Sequence, residues 1–215
     1  MGLTLYVGNK NYSSWSFRPW IGMKAAGVGF DEVVIPLYAP GSAEKIRAHS
    51  PAGKVPILED DGRVIWDSLA ILEYVAEKYP EKGLWPADPI ARAHARSISA
   101  EMHSGFAPLR NQCPMNMRRP AKPITLSDET RGNVARIDTL WSDCLNRYGG
   151  PFLFGAFGVA DAMYAPVVSR FTTYLVGVSL AARSYMDAVK ALPAWQEWEA
   201  AALKEPWTIP HAEVD

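Results

Sequence analysis

Apolar and polar side chains alternate over Leu3-Thr4-Leu5-Tyr6-Val7, which predicts a half-buried strand that ends in the polar turn Gly8 to Tyr12. From Ser14 to Ala26 the period changes to that of a helix. Phe17, Trp20, Ile21 and Met23 fall on one face, Gly27 supplies a stop, and Pro19 suits a first turn better than an interior. Phe30 to Leu37 reads as a second strand, so the opening segment has the length a right-handed crossover needs. A short helix follows over Ser42 to Ala48, then a strand over Lys54 to Glu59. Asp60-Asp61-Gly62-Arg63 is a hairpin turn and Val64-Ile65-Trp66 the returning strand. Asp67-Ser68 opens Leu69 to Tyr79, where Leu69, Ile71, Leu72, Val75 and Ala76 make an apolar stripe at helical spacing. The expected order is β-α-β-α-β-β-α.

Beyond this point the strand pattern stops. Pro80 to Pro89 is rich in proline, glycine and charge, as a linker is. Helical periodicity then recurs over Ala91 to Phe106, Ser127 to Tyr148, Val159 to Tyr174, Ala181 to Ala191 and Ala194 to Leu203. The pattern predicts an α/β domain over 1–80, a linker over 81–89 and an all-helical domain over 90–215.

Charge and cysteine content narrow the functional classes. The 215 residues carry a formal net charge of -1, so no general attraction to nucleic acid or an anionic membrane is expected. No run of about eighteen apolar residues occurs and the start of the chain lacks a signal-peptide pattern. Cys113 and Cys144 are the only cysteines, without metal-ligand spacing, so neither a zinc site nor a disulfide framework is expected. A small-molecule ligand and a reducing cytoplasm fit these features.

Three constellations carry chemistry. Tyr12-Ser13-Ser14-Trp15-Ser16 lies where the first strand gives way to the first helix, and unpaired N–H groups with the helix dipole stabilise an anion there. Its serines can donate to a thiolate carried by a ligand, although a serine at a helix start more often serves only as a cap. Lys54-Val55-Pro56 enters a strand at a proline; with a cis bond before Pro56, the Val55 backbone is free to pair with an extended peptide. Alternatively Pro56 is an ordinary edge-strand proline. Asp67-Ser68 starts a helix, where Ser68 can receive an α-carboxylate and Asp67 an ammonium group, or both can simply begin the helix.

Taken together, the element order, Asn11 to Ser16, Lys54 to Leu58 and Asp67 to Tyr74 resemble the N-terminal, thioredoxin-like domain of cytosolic glutathione transferases, nearest the serine-dependent zeta, or maleylacetoacetate isomerase, class. Phe154 to Asp161 resembles that family's buried helix-start motif, so the resemblance covers essentially the whole chain. It implies that Ser13 or Ser14 hydrogen-bonds the sulfur of glutathione, with Ser13 favoured by its spacing to Arg18. Val55 would pair with the cysteinyl backbone, Lys54 would reach the glycyl carboxylate, and Asp67 with Ser68 would hold the γ-glutamyl group. Pro56 would be the cis proline, and Trp15 counts with the glutathione-binding residues although it stands where the zeta class has a cysteine. Gly158 replaces a Ser or Thr cap, which makes Asp161 structural.

The resemblance further implies a homodimeric cytoplasmic detoxification enzyme without a metal. Its second-substrate pocket would draw on Met102, His103, Phe106, Arg110, Met115, Asn116 and Arg118, with His103 and the arginines able to meet an acidic electrophile. Alternatives are a glutathione-dependent isomerase or dehalogenase and a non-catalytic interaction module on the same fold. A glutaredoxin-like oxidoreductase is disfavoured because no cysteine stands at the first helix.

Overall fold

The computed structural model describes residues 2–214; the outer ends of the two expected domains, 1 and 215, lie outside it. Its first half contains β1 (Leu3–Val7), α1 (Ser14–Ala25), β2 (Asp31–Val34), α2 (Ser42–His49), β3 (Ile57–Asp60), β4 (Arg63–Trp66) and α3 (Ser68–Lys78). The strands form one mixed sheet in the order β2-β1-β3-β4, with β1 parallel to β2 and antiparallel to β3. This is the thioredoxin-like arrangement.

Alternation along β1 sorts its side chains between two layers. Leu3, Leu5 and Val7 join Leu58 in the main core with Phe17 and Ile21 of α1 and Ile71, Leu72 and Val75 of α3. Tyr6 points the other way and packs with Ile35, Ile57 and Ile46 of α2. The second strand is shorter than its apolar run predicts, because Ile35 makes the last bond, to Val7 O at 2.8 Å, and Pro36 has no N–H to continue. Pro19 sits in the second turn of α1, deeper than expected, and the helix continues through it.

The second half is helical: α4 (Pro89–Ser104), α5 (Ala107–Gln112), α6 (Asp128–Tyr148), α7 (Val159–Thr173), α8 (Leu180–Lys190) and α9 (Pro193–Leu203). The predicted helix to Phe106 ends two residues early, since Phe106 has φ 59° and the short α5 starts anew behind it. Helix α7 is the hub, buried on every side and packed on both α1 and α4. Where α1 meets α3 and α7, Gly22 permits the approach: a Cβ there would lie 2.5 Å from Leu72 Cδ2 and 3.3 Å from the Ala162 Cβ. Gly158, at the start of α7, answers a similar constraint. A Cβ there would lie 2.6 Å from the Leu84 carbonyl oxygen, which leaves no room for a Ser or Thr. Asp161 keeps the reciprocal arm of a capping box, its carboxylate accepting from Gly158 N at 2.9 Å and also from Leu153 N at 3.0 Å.

Among the described residues no helix is long and apolar enough to cross a membrane.

Candidate active site

A cleft of about 810 Å³ runs between the two halves, and the three constellations meet in it. Ser13, Ser14 and Trp15 border it from the β1–α1 turn, Lys54, Val55 and Pro56 from the entry to β3, and Asp67 with Ser68 from the start of α3. Arg110, Met115 and Arg170 contribute from the helical half, and Ile209, His211 and Ala212 from the segment after α9.

The two candidate serines do different things. Ser13 is the N-cap of α1: its Oγ accepts from Ser16 N at 3.4 Å and donates to Ser16 Oγ at 2.8 Å. Ser16 Oγ in turn accepts from Gly8 N at 3.0 Å, so the Ser13 hydroxyl belongs to a closed chain of bonds. Ser14 Oγ instead accepts from Arg170 Nη2 at 3.2 Å, which leaves its own proton uncommitted. Ser13 N and Ser14 N are bonded to Asn9 O and Tyr12 O, whereas among the described residues Trp15 N–H has no partner. A free amide at a helix N-terminus is a donor for an anion.

The Val55-Pro56 bond is cis, and among the described residues neither Val55 N–H nor Val55 C=O has a partner. Both groups remain available for an added strand. Asp67 takes φ 76°, caps α3 through Oδ1 with Leu69 N at 2.9 Å and Ala70 N at 3.2 Å, and keeps Oδ2 for other contacts. His103 Nε2 lies 3.3 Å from that Oδ2, and its ring meets Trp15 edge-on at 5.2 Å. His103 thus contacts Asp67 and Trp15 without itself bordering the cleft, and Phe106 packs into the main core, 8% exposed, and borders no part of the cleft either. Burial of its apolar ring outweighs any role in the pocket. Arg110 does line the cleft, held by Met102 O at 3.2 Å and His103 O at 3.4 Å.

The structure gathers buried guanidinium groups beside the serines, an arrangement the sequence reading did not assemble. Arg18, 1% exposed, stacks on Trp15 at 4.3 Å and reaches Ser68 Oγ at 3.5 Å, with its Nε unpartnered. Arg110 lies over the same indole at 5.5 Å. Burial, then the charges of Arg170 and Arg110, pull Arg18 down to about 9; burial, then Arg110, pull Arg170 down to about 10. Burial also lowers Arg110. Positive groups that depress one another in this way form a site of unbalanced positive potential, which an incoming anion relieves. The sequence did hold a signal for Arg170: it and Asp161 are the only charged residues in Val159–Thr173, a helix otherwise buried all round.

A thioredoxin-like sheet, a helical bundle behind it and an anion-seeking cleft at the first helix together define the glutathione transferase fold. The chain matches the glutathione S-transferase N-terminal domain over residues 12–78 and the glutathione S-transferase C-terminal domain over residues 99–201. It belongs to the glutathione S-transferase family. Similar curated proteins include a probable maleylacetoacetate isomerase of Caenorhabditis elegans, 42% identical over 99 residues, which are 46% of this chain and 46% of that protein. Another is the maleylacetoacetate isomerase of Pseudomonas aeruginosa, 32% identical over 121 residues, 54% of this chain and 56% of that protein. The matched segment thus spans about half the length of these relatives. Among solved structures, a glutathione transferase homolog from Burkholderia with bound glutathione superposes with a TM-score of 0.72 at 24% identity, over 94% of this chain and 98% of that one. A diazinon-metabolizing glutathione S-transferase of the silkworm Bombyx mori superposes with a TM-score of 0.75 at 19% identity, over 95% and 98%. Both show a shared fold.

Proposed function

We propose that this chain is an enzyme that binds glutathione in the cleft, stabilises its thiolate at the start of α1 and presents it to a small anionic electrophile. The observation that carries this reading is the meeting, in one cleft, of an unpaired peptide edge at Val55, an uncommitted Ser14 hydroxyl and the Asp67-Ser68 helix start. Those are the parts a γ-glutamyl tripeptide needs. In this reading Val55 pairs with the cysteinyl unit, Lys54 meets the glycyl carboxylate, Asp67 and Ser68 hold the γ-glutamyl group, and Ser14 with Trp15 N–H faces the sulfur.

The energetics suffice. A free thiol with a pKa near 8.5 is only about 3% ionised at pH 7, and lowering it by about two units requires about 2.7 kcal/mol in favour of the thiolate. A helix N-terminus contributes roughly 0.3 to 2 kcal/mol and a hydrogen bond to a charged acceptor roughly 1.5 to 3. Ser14, Trp15 N–H and the α1 dipole together meet this requirement without a histidine base, and Arg170 adds positive charge beside Ser14. Arg110 and Arg170, which border the cleft, favour a second substrate bearing a carboxylate.

Isothermal calorimetry with reduced glutathione tests the binding step, with heat of association expected for the wild type; no heat at millimolar tripeptide ends the proposal. A second reading, glutathione-dependent isomerisation, is favoured by the names of the curated relatives. A thiol count separates the two, since an isomerase returns glutathione and a conjugating enzyme consumes it. The same family reading carries a cytoplasmic homodimer, checked by sedimentation, while a monomer that bound no tripeptide would favour an interaction module.

A further inference from the structure

The turn that carries the candidate serines is held from outside its own half of the molecule. Asn9 to Tyr12 lies between β1 and α1, and most polar groups of its last three residues bond to the helical half; the exceptions are the Lys10 ammonium, paired with Glu32 at 2.7 Å, and the Tyr12 main-chain N–H and C=O, bonded to Asn9 O and Ser14 N. Lys10 N donates to Glu205 Oε1 at 2.7 Å and Asn11 N to Glu205 Oε2 at 3.0 Å, across 195 and 194 residues of chain. Trp198 Nε1 donates to Lys10 O at 2.9 Å. The Asn11 side chain donates to Asn116 Oδ1 at 2.9 Å and accepts from Arg118 N at 2.8 Å. Tyr12 accepts from Arg118 Nη2 at 2.9 Å and donates to Glu213.

Glu205 is the centre of this clamp. It is 9% exposed, and each of its carboxylate oxygens accepts from one of two consecutive main-chain N–H groups. Its own position is set twice: its N–H donates to Ala202 O at 3.2 Å, and its carbonyl accepts from Arg118 Nη1. Two adjacent amides aimed at one carboxylate fix the orientation of the peptide units between them, so the direction in which the chain enters Ser13 and Ser14 depends on it. Neither oxygen of Glu205 borders the cleft, and the residue itself touches none of the groups assigned to glutathione.

We propose that Glu205 is a positioning residue for thiolate formation: by clamping Lys10 and Asn11 it sets where the Ser14 hydroxyl and the Trp15 amide stand relative to the sulfur. This rests on the reading that the cleft binds glutathione. Misplacement of donors by a fraction of an ångström weakens a hydrogen bond to an anion before it weakens binding of the rest of the tripeptide. Glu205→Gln keeps the shape but offers one acceptor oxygen to two donors, so one N–H meets an amide NH2.

The test is the ionisation of bound glutathione, followed by the ultraviolet absorbance of the thiolate as a function of pH, in wild type, Glu205→Gln, Trp198→Phe and Ile137→Val. Ile137 is a fully buried core residue of α6 and serves as a stability control. The expected result is a thiol ionisation constant about three- to tenfold weaker in Glu205→Gln, the loss of part of one charged hydrogen bond. Trp198→Phe, which removes the indole N–H tie to Lys10 O and trims a fully buried ring stacked on Phe17, should move it in the same direction by less, and the affinity for glutathione with its thiol protonated, read at about pH 5.5, should change less than twofold in either variant. Ile137→Val should lower the melting temperature and leave the ionisation constant unmoved. An ionisation constant equal to wild type in both Glu205→Gln and Trp198→Phe overturns the proposal and leaves Glu205 a purely structural residue; if Glu205→Gln does not fold, the Trp198→Phe result decides alone. A wild type that binds no glutathione defeats the underlying reading, a failure that calorimetry on the unmodified protein detects separately.

Discussion

Arg170 Nη2 donates to Ser14 Oγ at 3.2 Å, so a fully buried guanidinium in α7 and the first residue of α1 form one unit across the two halves of the molecule. The bond occupies an acceptor lone pair of Ser14 and leaves the hydroxyl proton for an incoming anion. Ser13, one residue earlier, spends its hydroxyl on Ser16.

The two serines should therefore separate on mutation. Ser14→Ala is expected to lower kcat/KM for glutathione about 10- to 100-fold, the equivalent of one hydrogen bond to a charged group. Ser13→Ala is expected to cost about 1 kcal/mol of stability as a lost helix cap, with a smaller effect on rate. Steady-state kinetics and urea unfolding on both variants check this, and equal kinetic losses would return Ser13 to the mechanism.

Asp67 combines two roles that substitution can divide. Its Oδ1 caps α3 while Oδ2 is turned toward His103 and the cleft. Asn caps helices as well as Asp and tolerates positive φ, so Asp67→Asn should keep the melting temperature and weaken glutathione binding. Asp67→Ala should lose both, with about 1 kcal/mol of stability going with the cap. Glutathione affinity unchanged in Asp67→Asn would remove the carboxylate from the binding site.

Neither cysteine is suited to chemistry. Burial raises the Cys113 thiol to about 11 and the Cys144 thiol to about 12. At pH 7 the folded protein should resist iodoacetamide, with both thiols alkylated only as it unfolds in urea. Rapid modification of either in the native protein, read by mass spectrometry, would contradict the structure.

Asp161 makes stability depend on pH in a defined window. Burial lifts its carboxyl from the ordinary 3.8 to about 6, against the N–H bonds of Leu153 and Gly158 that favour the charged form. Because the folded value lies above the unfolded one, the folded state holds the proton more tightly between about pH 4 and 6. The stabilisation is complete below the lower value and is lost as pH rises through the upper one. Relative to Asp161→Asn, wild type should thus be favoured by about 2 to 3 kcal/mol more at pH 4 than at pH 7. Parallel unfolding free energies at the two pH values would refute it.

Local pattern carried far in this chain. The β-α-β-α-β-β-α order, the hairpin at Asp61-Gly62 and the five longer helices of the second half follow from periodicity and turn chemistry, because each is decided by residues within a few positions of one another. The short α5 escaped because a six-residue helix behind a left-handed Phe106 shows no period. The stretch to Leu37 was cut at Pro36 because sheet bonding depends on a donor that proline lacks.

At the site, the residue types at Ser13, Ser14, Val55, Pro56, Asp67 and Ser68 were readable as donors and acceptors placed at element ends, where backbone groups are left unpaired. Their joint presence around one cleft came only through the family resemblance and not from local pattern, and the division of labour between the serines came from neither, since it turns on Arg170 from a helix 156 residues away. Glu205 and Arg18 act through the same kind of distant contact. The sequence by itself determined which elements form and which of their ends are polar, since those are local free-energy differences. Only the tertiary structure decided which charges face one another, because the electrostatics of a buried group are set by neighbours that chain order does not bring near.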